Sequence, residues 1–164
     1  MHNLKEGLIK QLSVKMFKTK TSRPDPATAE AVFGSNDVAR ISGITLRQLQ
    51  WWDEKKVVSP NQDGHKRLYV AHEVVEIAVI AELRRKGMPL QKIRRILRFL
   101  DREMSKRLAG VFNGETELHL LTDGKAAHLE GERDSIINIL KRAKQPMFLV
   151  CVSDLVRRMD GTKA

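Results

Sequence analysis

Cysteine and long apolar runs are scarce in this chain of 164 residues. The single cysteine, Cys151, excludes an intramolecular disulfide and any cysteine-rich metal site. No apolar run approaches the ~20 residues that span a bilayer. Residues 1–20 lack the continuous apolar segment and cleavage site of a signal peptide. These absences predict a cytoplasmic protein that has no membrane partner.

Catalytic motifs are missing as well. The chain has no glycine-rich phosphate loop, and no serine, histidine and aspartate are arranged for nucleophilic catalysis. Hydrophobic residues make up 41% of the sequence, which is normal for a globular protein with a packed core. The length suits one ordinary domain or two small ones. We therefore expect a globular protein that is not an enzyme and needs no cofactor.

Positive charge is in excess, and it is unevenly distributed. The whole chain carries a formal net charge of +10. Residues 1–110 contain 22 Lys and Arg against 12 Asp and Glu, whereas residues 111–164 contain eight of each. A basic segment of this kind favours a polyanionic partner, because neutralised phosphates release their condensed counterions. The alternative is a basic surface that is merely solvated.

Two short helices joined by a tight turn are predicted within the basic segment. Ser35 is a good N-cap for the first helix, and Gly43 permits the turn that follows it. Thr45 and Gln48 have the spacing of a capping box, which predicts a second helix ending at about Lys55. Three apolar residues at helical spacing form the inward side of that helix: Leu46, Leu49 and Trp52.

A basic β-hairpin, the wing, is predicted directly after the second helix. Residues 57–58 enter the hairpin, residues 59–64 form its loop, and residues 65–70 are its returning strand. A helix over Glu73–Lys86 and a long helix over Pro89–Leu108 follow. The apolar spacing of the long helix fits core burial near its start and a dimer seam near its end. This order predicts a winged helix-turn-helix, which presents one helix and one wing to DNA.

Eight side chains of this segment are predicted to bind DNA. A helix fits the major groove, where Arg47 presents a fork of donors to guanine O6 and N7. Trp51 either stacks on a sugar and donates to a phosphate or lies in the core. Tyr69 either donates its hydroxyl to a phosphate or packs against the next helix. The full set is Thr45, Arg47, Gln48, Gln50, Trp51, Lys66, Arg67 and Tyr69.

Residues 33–100 resemble the DNA-binding domain of MerR-family transcription regulators. The resemblance rests on the segments Asn36–Asp53, Val57–Pro60 and Gly64–Tyr69. It implies a dimer that reads a near-palindromic site. We therefore predict a sequence-specific DNA-binding transcription regulator. Its expected partners are double-stranded DNA and a second copy of the chain, with RNA polymerase as a further candidate.

Several positions depart from the pattern of the family that the sequence resembles. Gln50 stands where arginine is usual, which removes a charge that would pair with phosphate. Trp51 and Trp52 replace tyrosines. Lys56 stands where glycine is usual and must adopt the backbone conformation that glycine permits. The cysteines of metal-sensing relatives are also missing, so no metal site is expected.

The sequence of the tail, residues 111–164, predicts two strands, a helix, a third strand and a second helix, in that order. A two-residue turn at residues 123–124 would place His119 opposite His128. Two exposed histidines are favoured over a metal site, because no complete set of four ligands is visible. The apolar strand over residues 147–152 is predicted to be buried on both faces.

The predicted fold is mainly α, with three segments along the chain. Residues 1–32 are a basic arm and linker, in which two prolines break any helix. Residues 33–110 are the winged helix-turn-helix domain, and residues 111–164 are a small α/β module (ββαβα) for dimerisation or sensing. Nucleoid association follows from DNA binding. Two other functions stay open: an architectural recombination accessory protein of the excisionase type, and an adaptor whose tail recruits a protein.

Overall fold

The computed structural model describes residues 31–58 and 60–162, which belong to one compact unit from Val32 onward. The helices are α1 (Ser35–Ser42), α2 (Leu46–Glu54), α3 (Ala71–Arg85), α4 (Leu90–Phe112), α5 (Arg133–Arg142) and α6 (Val152–Thr162). The strands are β1 (Val32–Gly34), β2 (Asn61–Asp63), β3 (Lys66–Val70), β4 (His119–Thr122), β5 (Ala127–Glu130) and β6 (Phe148–Cys151). The predicted arm lies outside the described residues except at its end, where Val32 begins β1. No helix of the described ranges is long and apolar enough to cross a bilayer.

The wing belongs to a three-stranded antiparallel sheet in the order β1, β3, β2. Asp63 pairs with Lys66, so the hairpin turns over two residues, with Gly64 at φ 62°. The prediction that the first wing strand starts at residues 57–58 is wrong. The observed strand, β2, lies within residues 59–64, which were predicted to form the loop. The sequence also gave no signal for β1, which exists because it pairs with β3.

The helix boundaries agree with the prediction at α2 and differ by a few residues elsewhere. The N-cap of α1 is Gly34 rather than Ser35, and no side chain caps this end of the helix. Helix α3 begins at Ala71, two residues before the predicted start. There the Glu73 carboxylate accepts a hydrogen bond of 2.9 Å from the Val70 N–H. Helix α4 continues to Phe112, because its apolar stripe is buried almost to that end.

The apolar stripe of α4 is covered by the chain itself. Helices α3 and α6 and strand β5 pack against α4. Four side chains of its second half are at most 6% exposed: Leu100, Met104, Leu108 and Val111. The dimer seam predicted near the end of this helix is therefore not available to a second copy.

A second antiparallel sheet has the order β5, β4, β6. Thr122 pairs with Ala127, so four residues connect β4 to β5, and the predicted two-residue turn was wrong. The Asp123 carboxylate stabilises this wider turn by accepting hydrogen bonds of 2.8 Å from the N–H groups of Lys125 and Ala126. The register consequently places His119 opposite Glu130 rather than His128.

The last strand lies at the edge of the second sheet. Residues 147–152 were predicted to be buried on both faces, but Leu149 of β6 is 43% exposed. Helix α6 follows β6 directly and packs on α1, α3 and α4. The tail thus rests on the helices of the winged segment, and a domain boundary near residue 110 stays a prediction.

Candidate nucleic-acid interface

The turn between α1 and α2 fixes the direction of α2. Gly43 ends α1 at φ 67°, and the N–H of Ile44 donates to the carbonyl of Ala39 over 3.1 Å. The Arg85 guanidinium donates to the Ser42 carbonyl over 3.0 Å. A Cβ atom on Gly43 would lie 3.0 Å from Arg85 Nη1. This turn therefore requires glycine for its backbone conformation and leaves little room for a side chain.

The predicted capping box at the start of α2 is confirmed. The N–H of Gln48 donates to Thr45 Oγ1 over 3.1 Å, and the N–H of Thr45 donates to Gln48 Oε1 over 3.3 Å. These bonds satisfy backbone groups that have no partner inside the helix. They also orient the Gln48 amide, whose NH₂ group is not used in the box.

The outward face of α2 carries the residues that the sequence singled out. Leu49 and Trp52 are each 2% exposed and form the inward side. Arg47 is exposed, and Trp51 is 45% exposed, so Trp51 does not lie in the core. Leu46 was predicted to face inward but is 49% exposed, because it occupies the first helical position beside the turn. The exposed Gln50 donates to the Glu54 carboxylate over 3.3 Å.

The wing residues have three different environments. Lys66 is exposed. Arg67 is half-buried, and its Nε lies 2.6 Å from Asp53 Oδ2. This contact is an ion pair and not a well-aligned hydrogen bond, because the Nε–H finds no acceptor among the described residues. The pair ties the wing strand to α2 and limits what Arg67 can offer to a ligand.

Tyr69 lies in the interior, where only 1% of its surface is exposed. Burial raises the pKa of its phenol, and the neighbouring Asp53 carboxylate raises that pKa further. Its backbone pairs with Phe33 across the β1–β3 ladder. Of the two roles predicted for Tyr69, packing fits its burial, and its hydroxyl is buried too; a contact with phosphate stays a prediction.

Two concave surfaces border these elements. A shallow depression of about 390 Å³ lies along α2 and is lined by Thr45, Arg47, Gln48, Trp51, Trp52 and Arg84. A groove of about 530 Å³ separates the wing from the start of α1 and is lined by Gly34, Ser35, Asn36, Asp37, His65, Lys66, Arg67 and Leu68. The start of α1 contributes N–H groups that no side chain caps.

Residues 33–100 match the family model described as MerR HTH family regulatory protein. Residues 33–100 are a MerR-family helix-turn-helix domain. The chain is 24% identical over 148 residues to an uncharacterised HTH-type transcriptional regulator of Mycobacterium bovis and, to the same extent, to one of Mycobacterium tuberculosis. That match covers 86% of this chain and 62% of each relative, so the chain spans about three fifths of their length. It is 31% identical over 64 residues to the HTH-type transcriptional regulator CueR of Yersinia pestis, covering 38% of this chain and 46% of CueR.

The prediction that Lys56 adopts a backbone conformation permitted to glycine is confirmed. Its φ is 56°, and it is the one residue other than glycine with a positive φ in the described ranges. L-residues pay a steric penalty in this conformation. Lys56 therefore adopts a backbone conformation that glycine takes without a steric penalty.

Two arginines of the MerR-family domain lie beside α2, although the sequence did not indicate a role for them there. Arg84 of α3 lines the depression beside α2, where its guanidinium donates to the Met88 carbonyl over 3.2 Å. Arg94 of α4 donates to the Lys55 carbonyl over 2.7 Å and so fixes the end of α2. Both lie more than 30 positions along the chain from the residues of α2 or its C-cap that they lie beside. The one signal for them in the sequence is the high frequency of arginine in α3 and α4.

The tail histidines lie on the same face of the second sheet but are not directly opposed. The described residues contain no group of three or more potential metal ligands close enough to hold an ion. Cys151 is half-buried, and burial raises the pKa of its thiol, which disfavours the reactive thiolate. These features fit structural roles for all three side chains.

Proposed function

We propose that this chain is a sequence-specific DNA-binding transcription regulator that lays α2 in a major groove and its wing on the adjoining backbone. The supporting observation is the exposed row of Arg47 and Trp51 on a capped helix, beside a wing that presents Lys66. An exposed α-helix has the diameter that a major groove accepts.

Arg47 is the residue proposed to read bases. Its guanidinium can donate two parallel hydrogen bonds to O6 and N7 of guanine. Thr45, Gln48 and Gln50 flank it, and the free NH₂ of Gln48 can donate to a base edge or a phosphate. Trp51 offers an exposed ring to the sugar-phosphate backbone.

Lys66 and the uncapped start of α1 are proposed to hold phosphates. They line the same groove, and both N–H groups at a helix start and a lysine attract an anion. Arg67 has a positioning role, because its ion pair with Asp53 sets the wing relative to α2. Such contacts fix the register on DNA without reading its sequence.

We further propose that the regulator acts as a homodimer on a near-palindromic site, because a two-fold protein reads two related half-sites. Its work on promoters would make RNA polymerase a candidate partner and place the protein on the nucleoid in the cytoplasm. The tail, residues 111–164, would serve as the module for dimerisation or sensing.

Selection of bound sequences from a random DNA pool tests the proposal, and binding by variants of the full chain tests the residues. Arg47→Ala should weaken specific binding by about 1–3 kcal/mol and relax one base position. Lys66→Ala should weaken binding to all sequences alike and reduce the salt slope by about 1.

Arg102→Ala is the matched control, because Arg102 is an exposed arginine of α4 that lines neither concave surface. Its binding should differ little from that of the unmodified chain. Equal losses of DNA affinity in all three variants would mean that net charge alone causes the effect. That result would contradict the assignment of Arg47 and Lys66 to the interface. A pool that yields no enriched sequence would contradict specific binding.

A further inference from the structure

Leu46 is an apolar side chain that the fold leaves uncovered at the start of α2. It occupies the first position of the helix and is 49% exposed. Its neighbours Thr45, Arg47 and Gln48 are exposed as well, so the N-cap and the first turn of α2 all face solvent. The apolar side of the helix, which includes Leu49, is buried in the usual way. Leu46 thus adds one apolar group to an outward surface that is otherwise polar.

The backbone that carries Leu46 is held in place on both sides. The capping box of Thr45 and Gln48 closes around it with hydrogen bonds of 3.1 and 3.3 Å. The turn before α2 is tied to α3, because the Arg85 guanidinium donates to the Ser42 carbonyl over 3.0 Å. A side chain on a rigid element loses little conformational freedom when it meets a ligand. The position of Leu46 is therefore set before any partner binds.

Leu46 lies on the side of Arg47 that is turned toward the wing. Successive residues of an α-helix are rotated by about 100°, so residues seven positions apart lie almost on one line along the helix. Leu46 and Asp53 are such a pair, and Asp53 lies 2.6 Å from Arg67 of the wing. Arg47 is rotated away from that line toward the centre of the outward face. Leu46 therefore lies between the side chain that is proposed to read a base and the wing that is proposed to hold the backbone.

The major groove offers one apolar group to a side chain of this kind. Base edges there present nitrogen and oxygen donors and acceptors, together with the C5-methyl group of thymine. A leucine placed against a polar base edge would displace water without replacing its hydrogen bonds, which is unfavourable. The Cα atoms of consecutive residues are about 3.8 Å apart, which is close to the spacing of about 3.4 Å between successive bases. Leu46 can therefore contact the base pair next to the one that Arg47 contacts.

We propose that Leu46 makes this chain select thymine, by packing on the C5-methyl group of a thymine in a base pair next to the guanine that Arg47 reads. The inference rests on the proposed function and deepens it, because it specifies part of the DNA site. Leu46 is then a specificity residue, since its contact exists in sequences that carry the methyl group at that place and is lost in the others. A leucine that packed on sugar carbons would strengthen binding to every sequence alike, and the experiment below separates the two roles.

Replacement of thymine by uracil in the DNA tests this contact, because it removes the methyl group and leaves base pairing intact. The probe is the duplex that the full chain enriches from a random pool, and the proposal requires a thymine next to the guanine whose selection depends on Arg47. Uracil at that thymine should weaken binding by the unmodified chain about fourfold, the factor that corresponds to burying one methyl group. Uracil outside the enriched positions should leave the affinity unchanged.

Leu46→Ala should bind the thymine and uracil duplexes equally, because the side chain that distinguishes them is gone. Leu149→Ala is the matched control: it shortens a leucine of β6 that is 43% exposed, and it should keep the full preference for thymine. Circular dichroism should show unchanged helix content in both variants, because both side chains are exposed.

Three results would overturn the inference and leave the proposed function standing. The enriched site has no thymine beside that guanine, the unmodified chain binds both duplexes equally, or the preference for thymine survives in Leu46→Ala. A pool without any enriched sequence would instead refute the proposed function, and the inference would fail with it.

Discussion

At the scale of single residues, Glu76 has strongly altered acid-base chemistry. It lies on α3 beside a cavity of about 340 Å³ that Tyr69, Glu73 and Asp101 also line. Burial is the main cause that raises its pKa, and repulsion by Asp101 and Glu73 adds to it, giving a pKa of about 8 instead of 4.5. Glu76 therefore keeps its proton at neutral pH in the folded protein and loses it on unfolding.

Glu76→Gln should consequently stabilise the protein in a pH-dependent way. The pKa is higher in the folded state, so the free energy of unfolding of the unmodified chain falls as pH rises from about 4.5 to about 8. Glutamine removes that titration. The variant should gain about 1–3 kcal/mol at pH 8 and almost nothing at pH 4.5, as measured by urea unfolding.

Glu103→Gln on α4 is the control for this experiment. A hydrogen bond from Arg102 lowers the pKa of Glu103, which is the opposite direction. That variant should therefore gain no stability at pH 8. Equal pH profiles for Glu76→Gln and the unmodified chain would mean that Glu76 is ionised at neutral pH.

Local spacing is what made individual residues predictable. The capping box of Thr45 and Gln48 joins residues three apart, so the sequence contains all of its information. The burial of Tyr69 depends on β1, whose partner residue Phe33 lies 36 positions earlier. The exposure of Leu46 depends on the direction in which the turn at Gly43 sends α2. Neither could be read from neighbouring residues.

At the scale of elements, the end of α2 sets the path into the wing. The backbone reverses at Lys56, with φ 56°, and the N–H of Val57 then donates to the Trp52 carbonyl over 2.8 Å. Val57 is buried directly after the turn. The helix therefore ends in a left-handed residue, where glycine has no steric penalty.

Lys56→Gly should raise the stability of the protein, because it relieves this strain. The left-handed penalty of about 1–2 kcal/mol exceeds the entropic cost of glycine, so we expect a gain of about 0.5–1 kcal/mol. Thermal unfolding followed by circular dichroism would measure it. Lys55→Gly is the control: Lys55 has an ordinary φ of −83°, and glycine there should destabilise instead. The same sign for both variants would contradict the strain at Lys56.

Helices were predicted better than strands for a physical reason. Apolar periodicity and caps are local, and they placed α2, α3 and α4 within a few residues. Strand β1 has only three residues and exists through its pairing with β3. The wider turn between β4 and β5 depends on the Asp123 side chain, whose bonds to Lys125 and Ala126 outweigh the preference for a two-residue turn.

At the scale of the whole molecule, the tail is packed onto the winged segment. Helix α6 buries Leu155, Val156 and Met159 and contacts α1 and α3. Arg158 of α6 lies 3.5 Å from the Glu82 carboxylate of α3. The sequence could not reveal this arrangement, because it joins residues such as Glu82 and Arg158, which lie 76 positions apart.

This packing predicts that the two segments unfold together. Leu120 is fully buried in the tail, and Leu120→Ala should cost about 2–5 kcal/mol. Both tryptophans, Trp51 and Trp52, lie in α2, so their fluorescence reports on the winged segment alone. In a jointly unfolding molecule, Leu120→Ala lowers the midpoint of the tryptophan transition as much as that of circular dichroism. Two independently folding domains, with a boundary near residue 110, would give a different result. The tryptophan midpoint would then stay unchanged while circular dichroism detected a loss of helix at a lower midpoint.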